Sequence, residues 1–227
     1  MNKIAIIPAR SGSKGLKDKN ILNVCGKPLL AYSVEAAKKS GCFDRIILST
    51  DSKEYAGIGK KYGVEIMMRG RALSNDNATT FMVIEDILAR LDNKPDYFVL
   101  LQPTSPMRTE KHIKESVVLF ESHFEEFDFL VSVKEAEHAG VLVRSIAPDL
   151  SMRNFDTDFS NYRRQEYKDY SPNGAIFIGK PDAYSARKHF FGAKSIAYIM
   201  SRRDSVDIDD EIDYKLACLL MSEIAGA

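Results

Sequence analysis

The sequence predicts an α/β protein built on a mostly parallel, doubly wound sheet. Three observations carry that expectation. Short apolar runs of β type alternate with helical patterns along nearly all of the 227 residues. Glycines close several of the helical patterns. The first apolar run, Ile4-Ala5-Ile6-Ile7, feeds directly into a glycine-containing cationic loop, the arrangement through which such sheets hold phosphates.

Taken in order, strands are expected at 3–7, 45–50, 64–69, 97–102, 128–133, 174–179 and 195–200. Helices are expected near 28–40, closed by Gly41, and near 53–62, closed by Gly63. Others are expected near 79–92 and 109–122, with Thr109 as an N-cap. A last helix near 210–224 carries acids in its first turn, as the helix dipole prefers. From about 138 to 170 the chain is polar, rich in Arg, Asp and Tyr, and weakly periodic. A segment that long within one domain spanning 1–227 reads as an excursion that dimerises.

Composition narrows the class. The 32 basic and 32 acidic residues cancel, so no global field favours nucleic acid or an anionic membrane, and the cationic cluster near the N-terminus is local. Cys25, Cys42 and Cys218 are scattered and lack CxxC spacing, which points to a reducing compartment and away from disulfides or zinc. The chain enters a strand without a signal-like region, and no apolar run approaches about eighteen residues, so a cytoplasmic location is expected.

Five constellations carry chemistry. The loop after Pro8 holds Arg10, Lys14, Lys17 and Lys19 among small residues that let backbone N–H groups approach an anion. Gly12 and Gly15 give only GxxG, and Asp51 stands 36 residues beyond Gly15, so the dinucleotide fingerprint fails. The Walker A pattern fails too. Gln102 ends the YFVLLQ run before a stiff Pro-Thr-Ser-Pro turn, and Arg108 beyond it reads as a structural ion pair. Arg69 closes its strand ahead of Thr79 and Thr80, a set that suits an anion or merely a cap and a turn. In Asp204–Glu211, Asp207 and Asp209 alternate with apolar residues, so both carboxylates face one way and suit Mg²⁺; a helix cap explains Asp209 or Asp210 but not Asp207. Arg163 and Arg164 read equally as interface ion pairs, and Asn173 as a left-handed turn residue. The four histidines are unclustered, and no nucleophile elbow exists.

The ordered set IPARSGSKGLKDKN, LLQPTSPMR, YRRQ…SPNGAIFI, HFF and DSVDID closely resembles the acylneuraminate cytidylyltransferases and their relatives acting on other nonulosonic acids. The resemblance runs from Ile4 to the last helix. It implies a Rossmann-like nucleotide-diphospho-sugar transferase fold, a homodimer, Mg²⁺, and the reaction of CTP with an acidic nine-carbon sugar. Some members continue into a hydrolase-like domain; the resemblance here covers one cytidylyltransferase domain. Carried over by motif, Arg10, Ser13, Lys14, Lys19 and Asn20 would hold CTP, with Asn20 reading the base. Arg69 and Thr80 match nucleotide-side positions, although a serine often stands in the place of Thr80. Gln102, Arg164, Gln165, Phe190 and Phe191 would meet the sugar, with Phe177 where some members have tyrosine. Asp207 and Asp209 match the metal pair. Arg10 and Lys14 would act on the phosphates, and Asp209 is the preferred proton acceptor.

Overall fold

A computed structural model describes the chain except residues 13–14, 76, 164–166 and 226–227. Its centre is a seven-stranded sheet in the order β5-β4-β1-β6-β8-β7-β9. These strands are β1 (Lys3–Pro8), β4 (Arg45–Thr50), β5 (Glu65–Met68), β6 (Tyr97–Leu100), β7 (Phe129–Glu135), β8 (Tyr170–Gly179) and β9 (Ser195–Ile199). They fall on the seven expected runs. β1 pairs in parallel with both β4 and β6, and β4 with β5 and β7 with β9 likewise. β8 alone is reversed, antiparallel to β6 and to β7.

The reversal has a topological cause. β7 and β8 are joined without a crossover helix, so the chain must return at the end of the sheet where it left. Glu135 pairs with Tyr170, and Ala136 N–H donates to Asp169 O at 2.8 Å, closing the base of the excursion. The expected arm is thus the loop of a long hairpin, and it leaves from the carboxyl end of β7. Single 3₁₀ turns at Gly140–Leu142 and Arg153–Phe155 interrupt it.

Both sheet faces are covered, which is why β1 reads as unbroken apolar sequence rather than as alternation. Ala5, Ile7 and Ala9 face a cluster with Leu30 and Val34 of α1 (Leu29–Ser40), Tyr55 of α2 (Lys53–Lys61) and Phe120 of α4 (Glu110–Ser122). Ile4 and Ile6 face the opposite cluster with Val83, Ile84 and Ile87 of α3 (Thr80–Ala89) and Tyr184 of α5 (Pro181–Arg187). Each buried Ile, Leu, Val or Phe among them contributes roughly 1.5–3 kcal/mol. α6 (Glu211–Ala225) packs Ala217 with Val24, Leu29 and Ile208.

The caps behave as read. Gly41 (φ 61°) and Gly63 (φ 71°) are left-handed where α1 and α2 end. Thr109 and His112 form a capping box on α4. Two elements were not anticipated. A two-residue hairpin joins β2 (Asn23–Val24) to β3 (Lys27–Pro28), and α5 starts on Pro181.

Arg108 corrects one expectation. It is 2% exposed, and its Nη1 donates to Gln102 O at 3.0 Å and to Ala175 O at 2.8 Å, while Nη2 donates to Ser33 Oγ. Among the described residues no carboxylate pairs with it, and burial depresses its pKa without an opposing charge. Carbonyl dipoles replace the ion pair, and the guanidinium ties the β6 turn to β8 and α1. Arg108→Ala removes these three hydrogen bonds, two of them fully buried, and should destabilise the fold on the order of 3 kcal/mol, lowering Tm by about 6–12 °C. Thermal unfolding checks this; an unchanged Tm contradicts it.

Candidate active site

The loop after β1 is shaped by its own side chains. Ala9 N–H stays on the sheet through Ser49 O at 2.9 Å, and the chain then turns through Gly12 (φ 68°) and Asp18 (φ 51°). Asn20 is buried, and its Nδ2 donates to Arg10 O at 3.0 Å, so the start and end of the loop are latched together. Gly15 is required by packing: a Cβ there would stand 2.6 Å from Asp209 O. Lys19 Nζ bridges the same approach, donating to Ile208 O and to Asp209 Oδ1, both at 2.9 Å. The predicted Ser13 and Lys14 lie outside the described residues.

Two adjoining cavities open at the carboxyl end of the parallel strands. The first, about 550 Å³, is polar and is lined by the predicted Arg10, Lys19, Asn20, Arg69, Thr80, Gln102, Asp207 and Asp209. Arg69 is 8% exposed with its Nε unpartnered. Burial depresses its pKa, Asp51 opposes that shift, and Arg10 adds to it. The second cavity, about 440 Å³, is mainly apolar and contains the predicted Phe177, Phe190 and Phe191 with Tyr184, Lys188 and His189. Thr79, Thr80 and Gln102 belong to both walls. Phe190 is a core ring, 4.6 Å from Tyr184 and 5.0 Å from Phe177, whereas Phe191 is exposed at the pocket surface. Arg164 and Gln165 lie outside the described residues.

Asp207 and Asp209 meet at the first cavity but differ. Asp209 is exposed and paired with Lys19. Asp207 is half-buried, and its Oδ1 is buried without a hydrogen-bond partner. Burial raises its pKa, the Asp209 charge raises it further, and the Thr104 hydroxyl and Lys19 pull it down. An orphaned carboxylate oxygen beside a second carboxylate is a fitting donor set for a hard cation that takes its other ligands from phosphate and water. No cluster of three ligating side chains occurs among the described residues. The cap of α6 is Asp210, whose Oδ1 accepts from Ile212 N and Asp213 N.

Asn173 corrects a second expectation. It is 3% exposed and is not left-handed; Gly174 is, at φ 77°. The Asn173 side chain accepts from Ser132 Oγ (2.6 Å) and Ala175 N (3.1 Å), and donates to Ser205 Oγ (2.8 Å). That network pins Gly174 between the two halves of the site, where a Cβ would stand 3.1 Å from both Asp207 Oδ2 and Gln102 Oε1. Gly174→Ala should cost about 1–2 kcal/mol of stability from the left-handed backbone and lower kcat by up to about 100-fold through displaced side chains. Thermal unfolding and steady-state kinetics check the two halves, and a kcat within twofold of the parent contradicts the second.

Three cleft features had weaker signals. Thr104 is legible only as a turn hydroxyl, His189 only as one of four unclustered histidines, Asp51, beside the cleft, only as an acid that fails the ribose spacing, and Lys188 carries no signal.

Known proteins share this sequence pattern and fold. A family profile described as Cytidylyltransferase matches residues 4–210. The chain is 43% identical over 220 residues to N-acylneuraminate cytidylyltransferase of Escherichia coli, covering 97% of this chain and 52% of that one. It is 33% identical to CMP-N,N'-diacetyllegionaminic acid synthase of Legionella pneumophila, covering 97% of both. The structure of CMP:2-keto-3-deoxy-manno-octonic acid synthetase complexed with CTP superposes with a TM-score of 0.72 at 14% identity, over 99% of this chain and 100% of that one, a likeness of fold. The chain spans about half the length of its Escherichia coli and Streptococcus agalactiae relatives.

Proposed function

The chain belongs to the cytidylyltransferase family, and on that premise we propose that it converts CTP and an N-acylneuraminate to CMP-N-acylneuraminate and diphosphate. The observation that carries the reading is the shared wall. A cationic, carboxylate-bearing cleft and an aromatic pocket meet at Thr80 and Gln102, as a reaction joining a nucleotide to a sugar requires.

In this reaction the sugar's anomeric hydroxyl attacks the α-phosphorus; an O–P bond forms as the bond to the β-phosphate oxygen breaks, and diphosphate departs. Arg10 and Lys19 face the triphosphate, with Ser13 and Lys14 as further ligands, and their charge stabilises the diphosphate as it leaves. Asn20 reads the base, and Arg69 and Thr80 complete the nucleotide side. Gln102, Phe177, Phe190 and Phe191 hold the sugar, joined by Arg164 and Gln165. Asp207 and Asp209 would hold Mg²⁺, which supplies charge neutralisation at the phosphates. Asp209 accepts the hydroxyl proton once Lys19 turns to phosphate.

The working unit is a homodimer through the 138–170 arm, a reading supported by exposed Val143, Ile146, Leu150 and Met152. Three free cysteines support a reducing, cytoplasmic location. No helix among the described residues is long and apolar enough to cross a membrane.

A substrate panel tests the reading. CTP with N-acetylneuraminic, legionaminic, pseudaminic or 3-deoxy-octulosonic acid is followed by diphosphate release. Fastest turnover with the neuraminate supports it; preference for another acid reassigns the sugar. CTP binding without turnover on any acid marks a non-catalytic nucleotide binder.

A further inference from the structure

We propose that Asp51 is a positioning residue for the nucleotide phosphates, fixing the start of the phosphate loop. This rests on the cleft being a nucleotide site. Asp51 is the first residue beyond β4, the sheet neighbour of β1, so it stands beside the point where the loop departs. Both its oxygens grip one loop residue: Ser11 N–H donates to Oδ1 and Ser11 Oγ to Oδ2, each at 2.8 Å. The same connection holds the far end of the loop, where the Tyr55 hydroxyl of α2 donates to Asp18 Oδ1 at 3.2 Å.

Charge makes the placement informative. A carboxylate next to a triphosphate repels it, so its presence needs a compensating use. The bidentate grip on Ser11 is one. The other is electrostatic: Arg69 is buried with an unpartnered Nε, and the Arg10 charge repels it. The Asp51 charge opposes that repulsion.

The test measures binding of CTP and of inorganic tripolyphosphate to the full chain by calorimetry with Mg²⁺, together with KM for each substrate. Asp51→Asn keeps the size and one acceptor; Asp51→Ala keeps neither. Loss of charge-assisted hydrogen bonds predicts a graded weakening of both phosphate ligands, reaching about tenfold or more in Asp51→Ala, with the sugar KM unchanged. Ser11→Ala should weaken binding in the parent protein but add little in the Asp51→Ala background. Equal or tighter CTP binding by Asp51→Asn overturns the proposal, as do strictly additive effects or an equal rise in the sugar KM. Should Asp51→Ala not fold, Ser11→Ala and Asp51→Asn decide alone. The tripolyphosphate arm separates the two readings. If the parent binds tripolyphosphate but makes no CMP-sugar, and Asp51→Asn weakens that binding, the positioning role stands and the assigned reaction falls.

Discussion

Asp207→Asn should lower kcat by about three orders of magnitude while raising thermal stability. The loss follows from the metal-holding role proposed for this half-buried carboxylate, a contribution of several kcal/mol. The gain follows from linkage. Burial raises the Asp207 pKa in the folded protein, so ionisation there opposes folding, and the neutral amide escapes that penalty. The sign is specific. A carboxyl with a raised folded pKa loses its stabilising contribution as pH rises above the ordinary value of 3.8. The Tm advantage of Asp207→Asn should therefore be absent well below that value and grow as pH rises through the carboxylate range. Turnover and Tm measured on the same preparation check both halves. Lost activity with lowered Tm would make Asp207 a structural acid instead.

Arg10→Ala should reduce kcat by roughly 10²–10³, the effect of losing one preorganised charge-stabilising donor. The Asn20 latch grips the Arg10 carbonyl, so the substitution leaves that latch in place. The backbone of the loop is also held at Ala9 and Ser11, contacts that the truncation does not touch. The sugar KM should stay near the parent value, since Arg10 lines only the polar cavity. A near-normal kcat in a diphosphate-release assay would remove Arg10 from the departure of diphosphate.

The sequence carried most of this architecture because its signals were local. RIILST became β4 at the expected residues, and Gly41 and Gly63 ended their helices in the left-handed region. The direction of β8 was not legible, since GAIFIG is equally apolar in either orientation. Only the missing helix between β7 and β8 dictated the reversal. The β2–β3 hairpin hid because Cys25 takes the first left-handed position (φ 46°) ahead of Gly26 (φ 86°), where asparagine would have advertised a type I′ turn. α5 had a signal that went unread, Pro181 at the first helical position followed by Asp182.

At the site, legibility tracked chemistry rather than position. Arg10, Asn20, Gln102, Asp207 and Asp209 stand out in the sequence because they sit in motifs, and the fold brings them to one cleft. Arg108 and Asn173 were misjudged because their partners are distant in sequence. Arg108 bonds Ala175 across β8, and Asn173 bonds Ser132 and Ser205. Asp51 was set aside on spacing, yet its use depends on β1 and β4 being neighbours, which only the sheet order reveals.

The most direct test of the central claim is phosphorus NMR of the purified chain with CTP, N-acetylneuraminate and Mg²⁺. The two-cavity account predicts diphosphate and a CMP phosphodiester appearing in equal amounts, with neither formed when the sugar is omitted. Sugar-independent release of CMP, or formation of CDP and inorganic phosphate, would contradict it.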